Sequence, residues 1–153
     1  MPKRSAGILM YRQGGGGLEL LLVHPGGPFW VNRDLGSWSI PKGEYSPAED
    51  PLAVAAREFE EETGVRPCGE FQPLGELVQK GRKIVAAWAV QGDFDPANLK
   101  SNMFELEWPP RSGRKASFPE VDRAEWFSPA RAREKILPAQ SEFIARLIKV
   151  IGV

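Results

Sequence analysis

The sequence predicts an α/β fold, a layered α/β sandwich. Three observations carry that expectation. A helix with both ends marked runs from Pro51 to Thr63. Strand-like apolar runs lie on both sides of it. An amphipathic segment then closes the chain, with Phe143, Ile144, Leu147, Ile148 and Ile151 on one face. Strands before and after a central helix, followed by a terminal helix, are the element pattern of layered α/β domains.

The elements follow in order. Ser5 to Arg12 and Leu18 to His24 read as two strands joined by the flexible turn Gly14-Gly15-Gly16-Gly17, which makes a hairpin. The glycines do not form a phosphate loop, because no Lys-Ser/Thr follows and a strand comes next rather than a helix. His24 to Gly36 is a loop carrying Phe29 and Trp30. Trp38-Ser39-Ile40 reads as a short strand stopped by Pro41. In the central helix Asp50 suits the N-cap and Pro51 the first helical position. Leu52, Ala55, Ala56, Phe59 and Thr63 recur at helical spacing, and Gly64 suits a left-handed C-cap. Beyond the helix, Phe71 to Lys80 is a strand, Gly81-Arg82 a turn, and Lys83 to Gln91 a strand apolar enough to be buried. Gly92 to Asn102 is polar and broken by Pro96. Met103 to Trp108 alternates as a strand does, and Pro109 to Lys115 is a basic loop, either solvated or in contact with phosphate. Ala124 to Phe127 is a short strand, Ser128-Pro129 opens a helix through Ile136, and Pro138 starts the last one.

The chain's 153 residues fit one domain, taken as 1–153, with a real core. Twenty basic and twenty acidic residues give zero formal charge, which argues against nucleic acid as a bulk partner. Cys68 is the only cysteine, so no internal disulfide forms, as in a reducing cytoplasm. It reads as a small buried or half-buried residue rather than a nucleophile. The apolar run Ala6 to Tyr11 is too short for a secretion signal, and no stretch is long enough to span a bilayer. A cytoplasmic monomer or homodimer, away from membranes, is the expectation. His24, the only histidine, is either a strand-end structural residue or a catalytic base.

Glu58, Glu61 and Glu62 stand at i, i+3 and i+4 of the central helix, on one arc beside its apolar face. Like charges at this spacing repel, by a few tenths of a kcal/mol per pair even when exposed. The triplet is therefore either a solvated acidic face or a site for a hard divalent cation, which wants oxygen ligands and brings phosphates with it. The wider spacing adds to this. Gly43, Glu49, Arg57, Glu58, Phe59, Glu61, Glu62, Gly64 and Val65 reproduce the pattern Gly-x5-Glu-x7-Arg-Glu-U-x-Glu-Glu-x-Gly-U, with U apolar. That pattern is the Nudix box, and the chain resembles a Nudix hydrolase. Trp38-x-x-Pro41-Lys42-Gly43 ahead of it is similar to the usual Nudix approach to the box.

The resemblance implies an α/β/α sandwich with a mixed sheet and the box as strand-loop-helix. It implies metal-dependent hydrolysis of a phosphoanhydride in a nucleoside diphosphate linked to another moiety, with Mg²⁺ or Mn²⁺ as cofactor. Glu58, Glu61, Glu62 and the Gly43 carbonyl are then the metal ligands. Arg57 holds the box carboxylates, with Glu49 as its partner. Glu61 is the first choice of general base and Glu120 the second. Lys42, Trp38 and Trp30 are candidate substrate contacts. Phe29, Trp88, Phe104, Trp108 and Phe118 are further aromatics that are either core or base platform. No motif fixes a sugar-nucleotide, coenzyme A or NADH substrate. Dinucleoside polyphosphates and (oxidised) nucleoside triphosphates stay open, the first ahead because of the Trp38-to-Gly43 approach. The rival expectation is a Nudix-fold sensor that binds a nucleotide without cleaving it.

Overall fold

A computed structural model describes residues 2–152. Its strands are β1 (Arg4–Gly14), β2 (Gly17–Pro25), β3 (Lys42–Glu44), β4 (Gln72–Val78), β5 (Ile84–Gln91), β6 (Met103–Glu107), β7 (Lys115–Pro119) and β8 (Val121–Phe127). Its helices are α1 (Pro51–Thr63), α2 (Pro129–Lys135) and α3 (Glu142–Ile151). A six-stranded sheet runs β4-β5-β1-β2-β8, with β3 also on β1. The pairing of β1 with β5 is parallel and the others are antiparallel, so the sheet is mixed. Strands β6 and β7 form a separate two-stranded hairpin.

Both faces of the sheet are covered, because apolar side chains alternate along strands that have no wet face. Ala6, Ile8 and Met10 of β1 and Leu21 and Val23 of β2 meet Ala55 and Phe59 of α1. Their neighbours Leu9, Tyr11, Leu20 and Leu22 meet Ile136 and the α3 residues Phe143, Ile144 and Leu147. The sandwich is thus α1, sheet, then α2 and α3. The first hairpin turns at Gly15-Gly16, between the paired Gly14 and Gly17.

The end signals of α1 act as their chemistry dictates. The Asp50 carboxylate accepts from the Ala53 N–H at 3.0 Å, and Gly64 closes the helix at φ 87°. The buried face differs in one detail from the periodicity: Val54 is buried while Leu52 is only half-buried. Trp38 to Ile40 makes only single bridges, because Trp38 spends its backbone bonds on Lys135 and Leu137 and Ser39 on Val23. The strand that leads into the box is instead β3. Lys115 to Pro119, for which the sequence suggested no strand, is β7, paired residue for residue with β6. Cys68 is exposed rather than buried. Among the described residues no helix is long and apolar enough to cross a membrane.

Candidate active site

Strand β3 and helix α1 meet at a cluster of carboxylates. Glu58 stands against Gly43 so closely that any side chain at position 43 would run into its carboxyl group. Glycine here leaves room for that approach, and a Cβ would displace the Glu58 carboxyl. The Lys42 N–H donates to the Glu62 carboxylate at 3.1 Å, which ties the strand to the helix.

Glu120 is brought to the same place through main-chain links. The Asn102 N–H donates to the Glu61 carbonyl at 2.8 Å, and the Glu120 N–H donates to the Asn102 carbonyl at 2.8 Å. Position 120, between β7 and β8, therefore sits beside α1 although 59 positions separate it from Glu61 in sequence (120 − 61).

The electrostatics of the group are those of carboxylates crowded without enough positive charge. Burial pushes the Glu62 carboxyl up to about 9, helped by Glu58 and opposed by Lys42. Burial, then the Glu61 charge, raises Glu58, with Arg57 opposing. Burial and Glu61 also raise Glu120. Arg57 faces three carboxylates, with Glu49 at 3.4 Å, Glu58 at 3.6 Å and Glu61 at 3.7 Å. It spreads over them one at a time and does not bind any in the bidentate way its planar fork permits. Glu49 itself is lowered, first by the Ser46 N–H and also by Arg57.

The structure overturns one site expectation, Trp38, and places three other candidates, His24, Trp88 and Trp30. Trp38 is fully buried, with its ring edge-on to Phe127 at 5.1 Å in the core under α2 and α3. It is a packing residue and cannot contact substrate. His24 is also fully buried, and both ring nitrogens are engaged: Nδ1 with Asp122 Oδ1 at 2.7 Å and Nε2 with the Arg33 carbonyl at 2.6 Å. No lone pair is left for catalysis. Trp88 packs against the α1-side core. Trp30 is half-buried, belongs to neither core, and lies 5.7 Å below the Arg33 guanidinium.

The sequence reading missed the contacts that fix the 26–36 loop. Asp34 accepts from Trp38 Nε1 at 2.8 Å and from Lys135 Nζ at 2.5 Å, and both bonds hold its carboxyl below the usual range. These partners lie up to 101 positions apart, so no local periodicity could have found them.

Among the described residues no three His, Cys, Asp or Glu side chains are gathered tightly enough to cage an ion by themselves. The donor chemistry still fits a hard divalent cation. All the donors are oxygens, and their mutual repulsion is what a positive charge would relieve. Such an ion completes its shell with main-chain oxygen, water and substrate phosphate.

The family model described as NUDIX domain matches residues 1–147. An RNA pyrophosphohydrolase of Rhodospirillum rubrum is 43% identical over 68 residues, 42% of this chain and 39% of that protein. A CMP-5'-(N-acetyl-N-hydroxy-3-aminopropyl)phosphonate hydrolase of Streptomyces rubellomurinus is 41% identical over 59 residues, 35% of this chain and 29% of that protein. The matched stretches thus span well under half of these two relatives. The solved structure of a C. elegans Ap4A hydrolase binary complex superposes with a TM-score of 0.67 at 20% identity, covering 97% of this chain and 98% of that one. At that identity the likeness is one of fold.

Proposed function

The chain belongs to the Nudix family, and on that premise we propose that it is a divalent-metal-dependent pyrophosphohydrolase acting on a small nucleotide. The observation that carries the reading is the group of Glu58, Glu61, Glu62 and Glu120 where α1 meets β3, with Glu58 against Gly43 and three of the carboxyls raised by burial and by neighbouring carboxylates. A structural helix gains nothing from holding carboxylates together in this way.

Glu58, Glu61 and Glu62, with the Gly43 carbonyl, would hold the cation. When bound, Mg²⁺ or Mn²⁺ neutralises phosphate charge and lowers the pKa of coordinated water. The remaining work falls to the chain's own residues. Glu61 takes the proton of the attacking water, with Glu120 next in line. An oxygen–phosphorus bond forms, the phosphoanhydride bond breaks, and the leaving phosphate departs with the shared oxygen. Arg57 keeps Glu58 and Glu61 aimed. Lys42 offers its ammonium group to a phosphate. A dinucleoside polyphosphate is the preferred substrate class, ahead of (oxidised) nucleoside triphosphates. The RNA pyrophosphohydrolase relative fits phosphoanhydride chemistry.

The test is a Mg²⁺-dependent hydrolysis screen over nucleotides with identification of the products. Phosphoanhydride cleavage that stops in EDTA supports the reading. Tight binding of one nucleotide with turnover of none would make the protein a sensor.

A further inference from the structure

Helix α1 ends against another part of the chain. The last carbonyls of a helix have no partner within it. The Glu60 carbonyl accepts from the Gly64 N–H of the cap at 2.7 Å. Two more are taken by residues 100–102, an irregular segment ahead of β6. The Asn102 N–H donates to the Glu61 carbonyl at 2.8 Å, and the Lys100 N–H donates to the Thr63 carbonyl at 3.0 Å. The two parts are in close contact, since a Cβ on Gly64 would stand 2.8 Å from the Lys100 Cβ. The end of α1 therefore carries the 100–102 segment with it.

That segment in turn holds the junction between β7 and β8. Glu120 is the single residue between the two strands. Strand β7 belongs to the separate hairpin and β8 to the main sheet. Where β8 begins, its register against β2 slips between His24 and Pro25. A ladder broken in this way leaves backbone groups to be satisfied elsewhere. Ser101 satisfies one of them. Its Oγ accepts from the Val121 N–H at 3.0 Å and donates to the Asn102 carbonyl at 2.9 Å. The same carbonyl accepts from the Glu120 N–H at 2.8 Å, which uses its second lone pair. On the other side the Gly26 N–H donates to the Glu120 carbonyl at 3.0 Å, and a Cβ on Gly26 would collide with the Pro119 carbonyl oxygen.

The main chain of residues 120 and 121 is thus held from two sides. The Glu120 side chain is not. Its carboxylate enters no ion pair among the described residues, and the nearby charge that acts on it is that of Glu61. A carboxylate left without a partner on a main chain held this firmly is arranged as a functional group is, with its support supplied by the residues behind it.

We propose that Ser101 is a positioning residue of the carboxylate site: its hydroxyl clips the 120–121 main chain to the end of α1 and so holds Glu120 beside Glu61. This rests on the hydrolase reading and adds to it a residue outside the box. The link is short. Glu61 presents its carboxylate to the site and its carbonyl to Asn102, so one residue carries both the box charge and the clip. Without the hydroxyl, the Val121 N–H loses its partner and Glu120 follows the hairpin. The rival is a Ser101 that only seats Val121 in the α1-side core. Losing it would then cost stability and nothing else.

The experiment measures kcat and KM in Mg²⁺ on the best nucleotide, Tm, and amide hydrogen exchange in EDTA. The proteins are wild type, Ser101→Ala, Ser101→Cys, Ser101→Thr, Glu120→Gln, the Ser101→Ala/Glu120→Gln double variant and Ser128→Ala. Ser128 caps α2 by accepting from the Arg131 N–H at 3.3 Å, so its loss is a cost of the same kind away from the carboxylates. Ser101→Ala should lower kcat about tenfold or more, the scale of a small misplacement at a reacting centre, with KM within about twofold. Ser101→Thr keeps the hydroxyl and should recover most of the loss. Ser101→Cys, a weaker hydrogen-bonding group of similar size, should fall between, and it replaces the alanine variant if that one does not fold. Ser128→Ala should lower Tm and leave kcat unchanged. On the Glu120→Gln background Ser101→Ala should change kcat by less than about twofold, because it acts through Glu120. Exchange at the Glu120 and Val121 amides should speed up about tenfold or more in Ser101→Ala while the α1 amides stay protected. If wild type turns over and Ser101→Ala keeps its kcat, the positioning role is refuted and the hydrolase stands. A loss that persists undiminished on the Glu120→Gln background refutes it too. If wild type cleaves no nucleotide, the hydrolase reading fails and exchange alone decides the clip: faster exchange confined to residues 120 and 121 upholds it, and unchanged exchange overturns it.

Discussion

Replacing Glu62 by Gln should remove most of the pH dependence of stability in the metal-free protein. The Glu62 carboxyl is pushed up to about 9 in the fold, from an ordinary 4.5. Between those values the folded state holds a proton that the unfolded state has released. Stability contributed by the protonated group is complete below about pH 4.5 and is lost as pH rises toward 9. The slope is about 1.4 kcal/mol per pH unit for one proton, or about 3 kcal/mol from pH 6 to pH 8. Glu58 is raised for the same reasons and adds to the loss with the same sign. Gln matches the neutral acid in shape, and its carbonyl can still accept the Lys42 N–H. Urea unfolding in EDTA at the two pH values, for wild type and Glu62→Gln, reads the difference. Wild type should lose stability across the interval while the variant changes much less. Parallel pH dependences would refute a buried, charge-starved carboxyl at this position.

Two other perturbations follow from the site and the loop. Arg57→Lys keeps the charge but cannot reach Glu49, Glu58 and Glu61 together, so kcat should fall by more than any drop in Tm explains; turnover within twofold of wild type would end the orienting role. His24→Ala leaves a half-buried carboxyl and a carbonyl without their partner and should cost about 1–3 kcal/mol, read by urea unfolding at neutral pH; an unchanged midpoint would show that the loop is held without it.

The central helix was legible because its instructions are local. Asp50, Pro51 and Gly64 are end signals whose effect reaches three or four residues, and each acts in place. The box carboxylates were legible for the same reason, since i, i+3 and i+4 fall on one arc of any helix. Trp38 was misread because its neighbourhood in sequence, next to Lys42 and Gly43, is not its neighbourhood in space. Its backbone pairs with the segment after α2, and its ring goes into the opposite core. Strand β7 was missed because its alternation, Lys115-Ala116-Ser117-Phe118, is only four residues long, follows a basic loop and ends at Pro119. Glu120 could be nominated from sequence, but its position beside Glu61 depends on hydrogen bonds through Asn102, which no spacing rule encodes.

The central claim is that the carboxylate group is a catalytic metal site rather than an acidic surface. Glu61→Gln tests it most directly. The side chain is partly exposed and lies off the buried face of Val54, Ala55 and Phe59, so the change opens no cavity. Melting curves in EDTA should match wild type or lie slightly higher, because repulsion with Glu58 is relieved. Mg²⁺-dependent turnover on the best nucleotide should fall by roughly 10²-fold or more, the size of a lost general base. Equal turnover in the two proteins would contradict the account and pass the base role to Glu120.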